Sequence, residues 1–421
     1  MFVKNSLFVV LLLLLISFKG FAQFGSNNPY TSRGIGEVLG NSSMRNLGMS
    51  NMGVSSGNVA YLNQMNPALL VYNKYTVFEA IYTGEYSTLT TKSAEQNDMG
   101  ANLRNIAFAF PVNTRWWTMG IGLRPLTNVN YSISLMDTIA ATPSPAFVKY
   151  ALEGDGGISQ VYFSNGFYIG KGLSLGLEIA FNFGAINKKE TSQLMEPSAY
   201  EVGEFTRTNY TKFTFKPGIQ YSLKVAENKR VNIGATYDFK TDFNSKYLAS
   251  RQIRLQDIVK SSDTTAYNTK GAVTMPSGYV IGASFEQTGK FVVGADFEWR
   301  KWSEYVDADG NGDLSDTYRL SVGGEYTPDY SSVSNYLKRM TFRAGFKYEQ
   351  MPWAIGQEQL EDLSGSLGIS FPMAKGFSSI NLAGAYGNMD SKGEVPIKKE
   401  YFKFHLGITI NTQWFYKRAI E

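Results

Sequence analysis

The sequence predicts an all-β protein, a transmembrane antiparallel β-barrel of about 14 strands with an N-terminal hatch domain. Three observations lead to this fold class. Large apolar residues alternate with small or polar residues in many segments, the chain begins with an export signal, and short connections alternate with long ones. Alternating strands also occur in soluble sandwiches, so the number of repeats and the export signal decide between the two folds.

Residues 1–22 are predicted to be a secretory signal peptide. A lysine precedes the apolar run Leu7–Phe18, and the small residues Gly20 and Ala22 fit a cleavage site before Gln23. The apolar run of about 12 residues is too short to cross a bilayer as a helix, and no later run has helix-spanning length. We therefore expect export to the outer membrane of a Gram-negative bacterium.

The composition excludes several classes of function. Cysteine is absent, so there is neither a disulfide framework nor a thiolate metal site. The formal net charge of +4 over 421 residues is small, which argues against a nucleic-acid partner. The common hydrolase and nucleotide-binding motifs are missing, so we predict no catalytic residues and expect that the protein is not an enzyme.

Residues 23–73 differ in character from the rest of the mature chain. They lack sustained alternation, are rich in Gly, Asn, Ser and Met, and end near the motif Asn66-Pro67-Ala68. This pattern predicts a small irregular segment, the hatch, ahead of the barrel, which would occupy residues 74–421.

The barrel region is a succession of alternating segments. The clearest is Gly172–Asn187, where Leu177 and its apolar neighbours alternate with Glu178 and other polar or small residues. The predicted strands span residues 74–86, 101–112, 116–134, 156–169, 172–187, 210–225, 229–247, 279–286, 291–300, 313–326, 338–351, 359–371, 375–389 and 398–416. An even number of strands suits a bacterial barrel with both chain ends in the periplasm.

The connections between these strands are unequal in length. Short ones such as Ile169–Gly172 and Glu286–Lys290 alternate with long ones such as Asn187–Asn209 and Tyr247–Gly271, and Tyr326–Lys338 breaks the alternation. Bacterial barrels have short periplasmic turns and long outer loops. Strands longer than the roughly 9 to 11 residues needed to cross a bilayer should project above it.

The two faces of each strand should meet different surroundings. In a barrel the rings and aliphatic side chains face lipid, and charged residues such as Asp296, Glu298 and Arg300 face the lumen, where a mutually neutralising network would hold the hatch. Tryptophans near predicted strand ends are expected in interfacial girdles. They are Trp116, Trp117, Trp299, Trp302, Trp353 and Trp414.

These features together resemble the FadL-type outer-membrane transporters. The motif Asn66-Pro67-Ala68 looks like the one that closes the hatch of that family, and Gly120-x-Gly122-x-x-Pro125 is similar to its third strand. The segments Met275–Trp302 and Arg343–Pro352 resemble a middle hairpin and a later strand. The similarity covers most of the mature chain, and the order and spacing of the motifs carry it.

The resemblance implies a barrel with the hatch inside it and a lateral opening at a kink in the third strand, formed around Gly120, Gly122 and Pro125. Pro125 gives the kink a physical basis, because proline cannot donate a hydrogen bond to the ladder. A bulge without function is the alternative for this residue. The expected partners are outer-membrane lipid and a hydrophobic small molecule or a lipopolysaccharide-type lipid.

Two hypotheses for the function are open. The first is a hatch-gated passive channel for hydrophobic small molecules, favoured by the hatch motif and by Pro125. The second follows from the same family, which includes accessory barrels of type IX protein secretion that resemble PorV or a translocon plug. In that case the chain would be a non-enzymatic accessory or plugging subunit of a large translocon. The family's ligand-pocket residues are not recognisable in this chain, which favours the second hypothesis.

Residues 307–315 form the sharpest local motif. Asp307, Asp309 and Asn311 occupy the first, third and fifth positions of a calcium-loop pattern, and Asp313 adds a further carboxylate. The twelfth position is Tyr318 instead of the usual bidentate glutamate, and no helices are predicted on either side. Ca²⁺ is therefore the one candidate cofactor, and an acidic hairpin loop is the alternative reading.

Overall fold

The computed structural model describes residues 25–140, 145–196, 198–256, 258–307, 310, 312–355, 358–373, 378–391 and 397–413. The strands in these residues are β1 (Glu37–Val38), β2 (Thr76–Thr90), β3 (Glu95–Asn113), β4 (Trp117–Pro125), β5 (Thr127–Ile139), β6 (Ala146–Gly170), β7 (Leu173–Leu194), β8 (Glu201–Ala226), β9 (Lys229–Asp238), β10 (Thr241–Leu255), β11 (Ile258–Met275), β12 (Gly278–Gln287), β13 (Phe291–Arg300), β14 (Thr317–Tyr326), β15 (Thr341–Ile355), β16 (Glu358–Pro372), β17 (Ser379–Asp390) and β18 (Lys398–Thr412). The helices are short: α1 (Met44–Leu47), α2 (Tyr336–Arg339) and the 3-10 helices Pro29–Ser32, Pro67–Tyr72 and Trp302–Glu304.

Strands β2 to β18 form one antiparallel sheet that closes into a barrel, because β18 pairs with β2. Three crossings consist of two strands each, β4 with β5, β9 with β10 and β11 with β12, so the wall crosses fourteen times. The predicted all-β fold class and strand number are confirmed. Short turns face the periplasm in barrels of this kind, and "upper" refers below to the opposite end.

The two faces of the wall have the predicted chemistry. On β7 the side chains of Leu175, Leu177 and Phe181 are exposed on the outside, whereas those of Glu178 and Asn182 are buried on the lumen side. An apolar outer surface and a polar inner surface are what a bilayer requires of a barrel. None of the helices in the described ranges is long and apolar enough to cross a membrane.

The prediction of long outer loops is wrong in detail, because most of the residues assigned to these loops are in strands. The predicted loop Asn187–Asn209 contains the ends of β7 and β8, which stay paired as far as Gln193↔Glu201. The predicted loop Tyr247–Gly271 likewise consists of β10 and β11. Polar residues continue the ladder above the bilayer, where no lipid-facing apolar row is needed, so the alternation that marks a strand is absent. The barrel does project above the membrane, and β8 reaches 26 residues.

The upper lumen holds an apolar core that the sequence did not predict. Trp302 and Trp353 are only 4% and 1% exposed and belong to this core, so the expectation of an interfacial girdle is wrong for them. Tyr30 stacks on Trp353 with ring centroids 6.2 Å apart. Trp414 lies outside the described residues. The core consists of Tyr30, Ile35, Val129, Tyr131, Ile158, Ile186, Tyr210, Phe243, Val273, Trp302, Tyr305, Leu314, Met351, Trp353, Leu360 and Met389.

Residues 25–73 lie inside the barrel and are called the hatch below. They contain little regular structure, yet α1 and the 3-10 helix Pro67–Tyr72 are almost entirely buried. The Pro67–Tyr72 helix contacts β4, β6, β7 and β8, and α1 contacts β16, β17 and β18. The hatch is therefore held by the wall all around the lumen instead of by a core of its own.

The outward face of β7 allows a test of its contact with lipid. Leu177→Arg places a guanidinium near the middle of the bilayer and should lower the free energy of unfolding by about 2–4 kcal/mol. Met99→Arg, on the upper part of β3 where the side chain is 76% exposed, should change it by about 0.5 kcal/mol or less. Denaturant unfolding of the protein in lipid vesicles measures both values. Equal effects would contradict the assignment of this face to lipid.

Candidate functional site

The hatch motif Asn66-Pro67-Ala68 joins the hatch to the wall. Asn66 is fully buried and caps the 3-10 helix that follows it. Its Oδ1 atom accepts a hydrogen bond from the backbone nitrogen of Ala68 (3.0 Å), and its Nδ2 atom donates to the carbonyl oxygens of Val54 (2.9 Å) and Ile219 (3.0 Å). One side chain therefore fixes the helix cap, the hatch interior and β8 together.

Three neighbouring strands of the wall each present a glycine to this motif. Gly166, Gly176 and Gly218 lie side by side in register on β6, β7 and β8. A Cβ atom added to Gly176 would lie 2.2 Å from the Ala68 nitrogen, and one added to Gly218 would lie 2.2 Å from the Asn66 Oδ1 atom. Any side chain here would push the hatch off the wall. Further wall glycines in close contact with the hatch are Gly234, Gly282, Gly323, Gly345, Gly368 and Gly407.

Buried charged groups hold the middle of the hatch. Asp296 on β13 accepts hydrogen bonds through Oδ2 from the backbone nitrogens of Gly53 (2.6 Å) and Val54 (2.8 Å). A carboxylate that receives two backbone N–H groups fixes the chain direction as well as its position. The prediction that lumen charges hold the hatch thus has a specific instance at Asp296.

A second anchor is the buried cluster of Arg45, Glu325 and Arg343. The Arg45 Nη2 atom of α1 lies 2.7 Å from Glu325 Oε1 on β14, and its Nη1 atom donates to the carbonyl oxygen of Ser56 (2.7 Å). Arg343 Nε on β15 lies 3.1 Å from the other oxygen of Glu325. Two nearly fully buried guanidinium groups share one carboxylate whose side chain is 8% exposed, so loss of that carboxylate would leave both without it.

Gly120 and Gly122 on β4 lie beside side chains of the hatch and the wall. A Cβ atom added to Gly120 would meet Leu70 of the hatch at 3.5 Å, and one added to Gly122 would lie 2.4 Å from the hydroxyl oxygen of Tyr162. The Tyr162 ring in turn lies under the guanidinium of Arg124, 4.1 Å from its centroid. Both glycines lie below the break in β4. Only the contact at Gly122 requires glycine, because the distance at Gly120 is an ordinary van der Waals contact.

Pro125 is the last residue of β4, and above it the wall has a gap. The ladder between β3 and β4 ends at the pair Ile106↔Leu123. In the described chain no register joins the upper part of β3, residues 95–105, to β5, which pairs with β6 on its other side. β4 contains nine residues, close to the roughly 9 to 11 that cross a bilayer. The gap therefore begins near the outer surface of the membrane.

The first part of the hatch, Gly25–Leu39, lies in this gap and is called the strap below. β1, within the strap, pairs antiparallel with the start of β5, and the Arg104 side chain of β3 donates to the last carbonyl of the strap. Higher up, the Asn27 backbone nitrogen donates to Asp98 of β3, while the Asn27 side chain exchanges hydrogen bonds with the Ser132 backbone of β5. The strap thus bridges two strands that do not pair with each other.

Ion pairs tie the strap to β2 and β18. Glu37 lies 3.4 Å from the Nζ atom of Lys403, and the Ser26 hydroxyl donates to Glu85, which pairs with Lys399 (2.7 Å) and Lys403 (3.3 Å). Burial opposes ionisation of Glu37, but the ammonium groups of Lys403 and Lys399 outweigh it, so the pKa of the Glu37 carboxyl lies below its ordinary value. The carboxylate is therefore charged at neutral pH.

Two cavities lie on either side of β1. The lumen cavity, of about 140 Å³, has an apolar side formed by Val38, Leu126, Phe243, Met275, Trp302, Met351 and Trp353. The gap cavity, of about 340 Å³, is lined by residues of β3 to β7 and by Leu39. Its residues at the break in β4 include Leu123, Arg124, Pro125 and Thr127. The predicted kink residue Pro125 thus borders the larger cavity.

The charged residues of the lumen cavity form a chain of alternating sign. Lys216 Nζ lies 3.3 Å from Asp238, and Asp238 lies 2.9 Å from Arg300. Arg300 Nε lies 2.6 Å from Glu298, which also pairs with Arg319. The chain crosses β8, β9, β13 and β14. Because each of these cations already has a carboxylate partner, an incoming anion would have to displace one of them.

The predicted calcium loop is only partly covered by the structure. Asp309 and Asn311 lie outside the described residues, while Asp307 and Asp313 follow the 3-10 helix after β13. Among the described residues, no group of three or more His, Cys, Asp or Glu side chains could hold a metal ion. Calcium binding at this loop stays a prediction.

The strap and the two cavities were missed by sequence reasoning. β1 is only two residues long, too short to produce a recognisable alternation. The one available signal is the pair Gly36 and Gly40, which both adopt positive φ angles of 91° and 67° around this strand. No sequence pattern indicates the roles of Arg104 and Arg124, because these roles depend on which strands of the wall do not pair with each other.

Solved structures with the same architecture are FadL-type barrels. A FadL homologue from Pseudomonas aeruginosa has a TM-score of 0.60 at 11% identity, covering 89% of this chain and 99% of its own. The toluene transporter TbuX from Ralstonia pickettii has a TM-score of 0.55 at 15% identity, covering 90% and 99%. The monoaromatic hydrocarbon channel CymD has a TM-score of 0.56 at 15% identity, covering 90% and 100%. At these identities the likeness shows the fold.

The sequence itself matches one family. The family model described as BamG matches residues 2–421. No curated protein sequence matches the chain.

Glu325→Gln tests the electrostatic anchor of the hatch. The substitution leaves the guanidinium groups of Arg45 and Arg343 buried without their carboxylate, so the free energy of unfolding should fall by about 3–5 kcal/mol. Limited proteolysis should also cleave the hatch faster than in the unmodified protein. Glu304→Gln, which removes the partner of Lys301 at 3.3 Å in a more exposed pair, should cost about 1 kcal/mol or less. If limited proteolysis cleaves the hatch of the Glu325→Gln protein no faster than that of the unmodified protein, the anchoring role of Glu325 is refuted.

Proposed function

The chain belongs to the BamG family, and we propose that it works as a FadL-like outer-membrane barrel through which uncharged hydrophobic small molecules pass. In this proposal a molecule enters the upper lumen, occupies the lumen cavity and leaves sideways through the wall gap into the outer part of the membrane. Because the hatch fills the lumen on the way to the periplasm, the proposed route is the lateral one.

The single observation that carries the proposal is the gap above Pro125. The wall of a membrane barrel is ordinarily paired all around, because unpaired backbone groups are costly in lipid. Here β3 and β5 do not pair with each other above the end of β4, the strap lies between them, and a cavity of about 340 Å³ adjoins the break. Its size lies within the range of small-molecule sites, roughly 300–1,000 Å³.

The apolar core of the upper lumen supports a hydrophobic cargo. Phe243, Trp302, Met351 and Trp353 belong to this core and also line the lumen cavity. Burial of apolar surface against such side chains favours a molecule without charge by roughly 25 cal/mol per Å². The paired charges on the other side of the cavity offer no free cation to a carboxylate group.

The titles of two solved structures with this fold also support a hydrophobic cargo. One of them is titled a monoaromatic hydrocarbon channel and another a toluene transporter. Both share the barrel fold of this chain, and neither title fixes the cargo here. An uncharged aromatic compound is therefore the first probe to use.

Uptake by whole cells tests the proposal, because a lipopolysaccharide leaflet is a barrier to hydrophobic molecules. Cells that carry this chain as their only channel for aromatic compounds should accumulate radiolabelled toluene faster than cells without it, and should not gain uptake of benzoate. Pro125→Ala restores a backbone donor at the break and should lower toluene uptake several-fold.

The control for that variant is Pro372→Ala at the end of β16, far from the gap, which should leave uptake unchanged. Toluene uptake that is equal with and without the chain would refute the channel. Uptake that is unaffected by Pro125→Ala would refute the lateral route at this residue.

A second candidate function is a non-enzymatic accessory or plugging subunit of an outer-membrane protein-secretion translocon. The observation in its favour is the turn between β14 and β15, which stands at the periplasmic end and carries exposed apolar side chains. Val333, Leu337 and Tyr330 are 98%, 65% and 64% exposed. Such a patch suits a protein partner that covers it. Type IX secretion as the setting stays a prediction.

Purification in mild detergent distinguishes this candidate. If the turn binds a partner, Val333→Asp with Leu337→Asp should remove a stoichiometric protein that accompanies the unmodified chain. Met136→Asp, at an exposed apolar position on the opposite end of the barrel, should keep the partner. An unmodified chain that purifies alone would refute the accessory role.

A further inference from the structure

Three cations lie side by side on three neighbouring strands of the wall and are called the cation cluster below. They are Arg207 on β8, Lys246 on β10 and Lys270 on β11. Lys246 is directly opposite Lys270 in one ladder and directly opposite Asn209 of β8 in the other. Arg207 is two residues from Asn209 on the same strand, and its Nε atom donates to the Asn209 side chain (3.4 Å). The three charged side chains are therefore neighbours on one surface.

This surface is on the outside of the barrel. Each of the three strands has a residue of the apolar core three positions away from its cation, namely Tyr210, Phe243 and Val273. Residues an odd number of positions apart in a strand point to opposite faces. Because the apolar core lies in the lumen, the cation cluster points outward, and all three of its side chains are exposed.

The cation cluster has no carboxylate partner within the described part of the chain, where none of its three side chains forms an ion pair. Lys189 on the outer face of β7 shows the contrast, because Glu153 and Glu201 lie 3.6 and 3.9 Å from its Nζ atom. Like charges directly opposite each other in a ladder are unfavourable. The pair of Lys246 and Lys270 therefore favours an anion from outside the chain.

Two aspartates on the same outer face are engaged with other residues. Asp242 accepts a hydrogen bond from the Thr274 hydroxyl (2.8 Å), and Asp155 accepts one from the Asn187 side chain (2.9 Å). Asn187 lies between Asp155 and Arg207 in the ladders of β6, β7 and β8. The positive charge of the cation cluster is therefore available to a ligand.

The position of the cation cluster along the wall points to the kind of ligand. The apolar outer row of β8 ends at Phe213, which is 58% exposed, and Thr211 and Asn209 follow it toward the upper end. The row of Asn209 and Lys246 is four residues beyond Phe213, which is about 13 Å along the strand and about 10 Å in height at the usual tilt. Headgroups occupy roughly 5–8 Å beyond the hydrocarbon on each face of a bilayer. Long basic side chains can therefore reach the headgroups of the outer leaflet from here.

We propose that Arg207, Lys246 and Lys270 bind the phosphate groups of a lipopolysaccharide molecule in the outer leaflet. Phosphate oxygens accept charge-assisted hydrogen bonds from ammonium and guanidinium groups, so one phosphate neutralises the facing lysines. The acyl chains of the same molecule lie below, against the exposed rings of Phe181 and Phe213, whose centroids are 4.9 Å apart. A ligand with phosphate directly above acyl chains matches this order of surfaces. The site is independent of whether anything passes through the lumen.

Binding of lipid A to the purified protein in detergent tests the proposal. A variant with Arg207→Gln, Lys246→Gln and Lys270→Gln should bind bisphosphorylated lipid A about tenfold more weakly than the unmodified protein, because it lacks the charge-assisted hydrogen bonds. Native mass spectrometry of a titration measures the bound fraction.

The control variant carries Lys149→Gln, Arg251→Gln and Lys260→Gln, which remove the same charges from exposed positions near the upper ends of β6, β10 and β11. It should bind lipid A as the unmodified protein does. Equal weakening in the two triple variants would overturn the proposal, because net charge alone would then explain the binding.

Two further probes identify the group that is recognised. Dephosphorylated lipid A should bind the unmodified protein no better than the cluster variant binds lipid A, and a large excess of inorganic phosphate should leave lipid A bound. Displacement by phosphate, or full affinity for dephosphorylated lipid A, would overturn the assignment. So would an acidic protein that accompanies the unmodified chain and is lost from the cluster variant while lipid A binding stays the same.

A single substitution keeps the test open if the triple variant fails to fold. Lys246→Glu places opposite charges across the ladder from Lys270, so without lipid its Tm should be at least that of the unmodified protein. Added lipid A should raise the Tm of the unmodified protein and leave that of Lys246→Glu unchanged. An equal rise in both proteins would overturn the proposal.

Discussion

The whole arrangement depends on backbone-to-backbone contact between the hatch and the barrel wall. A barrel with ordinary side chains on its inner face has no room for a second polypeptide that is largely without helix or strand. The row Gly166, Gly176 and Gly218 removes those side chains where the Asn66-Pro67-Ala68 motif must fit. The buried polar groups of the hatch then find partners on the wall, as Asn66 does on β8 and Asp296 does for Gly53. The hatch, which is largely without helix or strand, is therefore held in its conformation by contacts with the wall.

The interior combines polar anchors for the hatch with an apolar core in the upper lumen, beside which the ion pairs of Lys216, Asp238, Arg300 and Glu298 also lie. Below, ion pairs such as Arg45 with Glu325 fix the hatch, because a buried charge pair tolerates little displacement. Above, Trp302, Trp353 and their neighbours form an apolar core that offers a molecule many similar contacts and few specific ones. The strap lies between the polar anchors of the hatch, the apolar core of the upper lumen and the wall gap. Firm attachment of the hatch is therefore compatible with the proposed passage through the same lumen.

The alternation of residues such as Leu177 and Glu178 predicts the strand number and the two unlike faces, since a bilayer imposes that pattern, and the closed barrel follows only when the export signal is added. Above the bilayer the constraint disappears, and the polar ends of β7 and β8 were mistaken for loops. The positions of Trp302 and Trp353 could not be predicted, because strand ends can turn into the lumen as well as toward lipid. Pro125 marked the break in its strand, but the gap beside it depends on β3 and β5 failing to pair, which no local pattern encodes.

The unequal height of the wall has a consequence for how the molecule meets its surroundings. β8 has 26 residues and β6 has 25, whereas β13 and β14 have 10 each. At about 3.3 Å per residue, the upper rim of the barrel is far higher at β6 and β8 than at β13 and β14. The aperture is therefore turned sideways, along the cell surface. On the low side, the segment between β13 and β14 places Trp302, Tyr305 and Leu314 in the apolar core of the upper lumen, so these side chains border the aperture there. The tall side shields the aperture from the opposite direction.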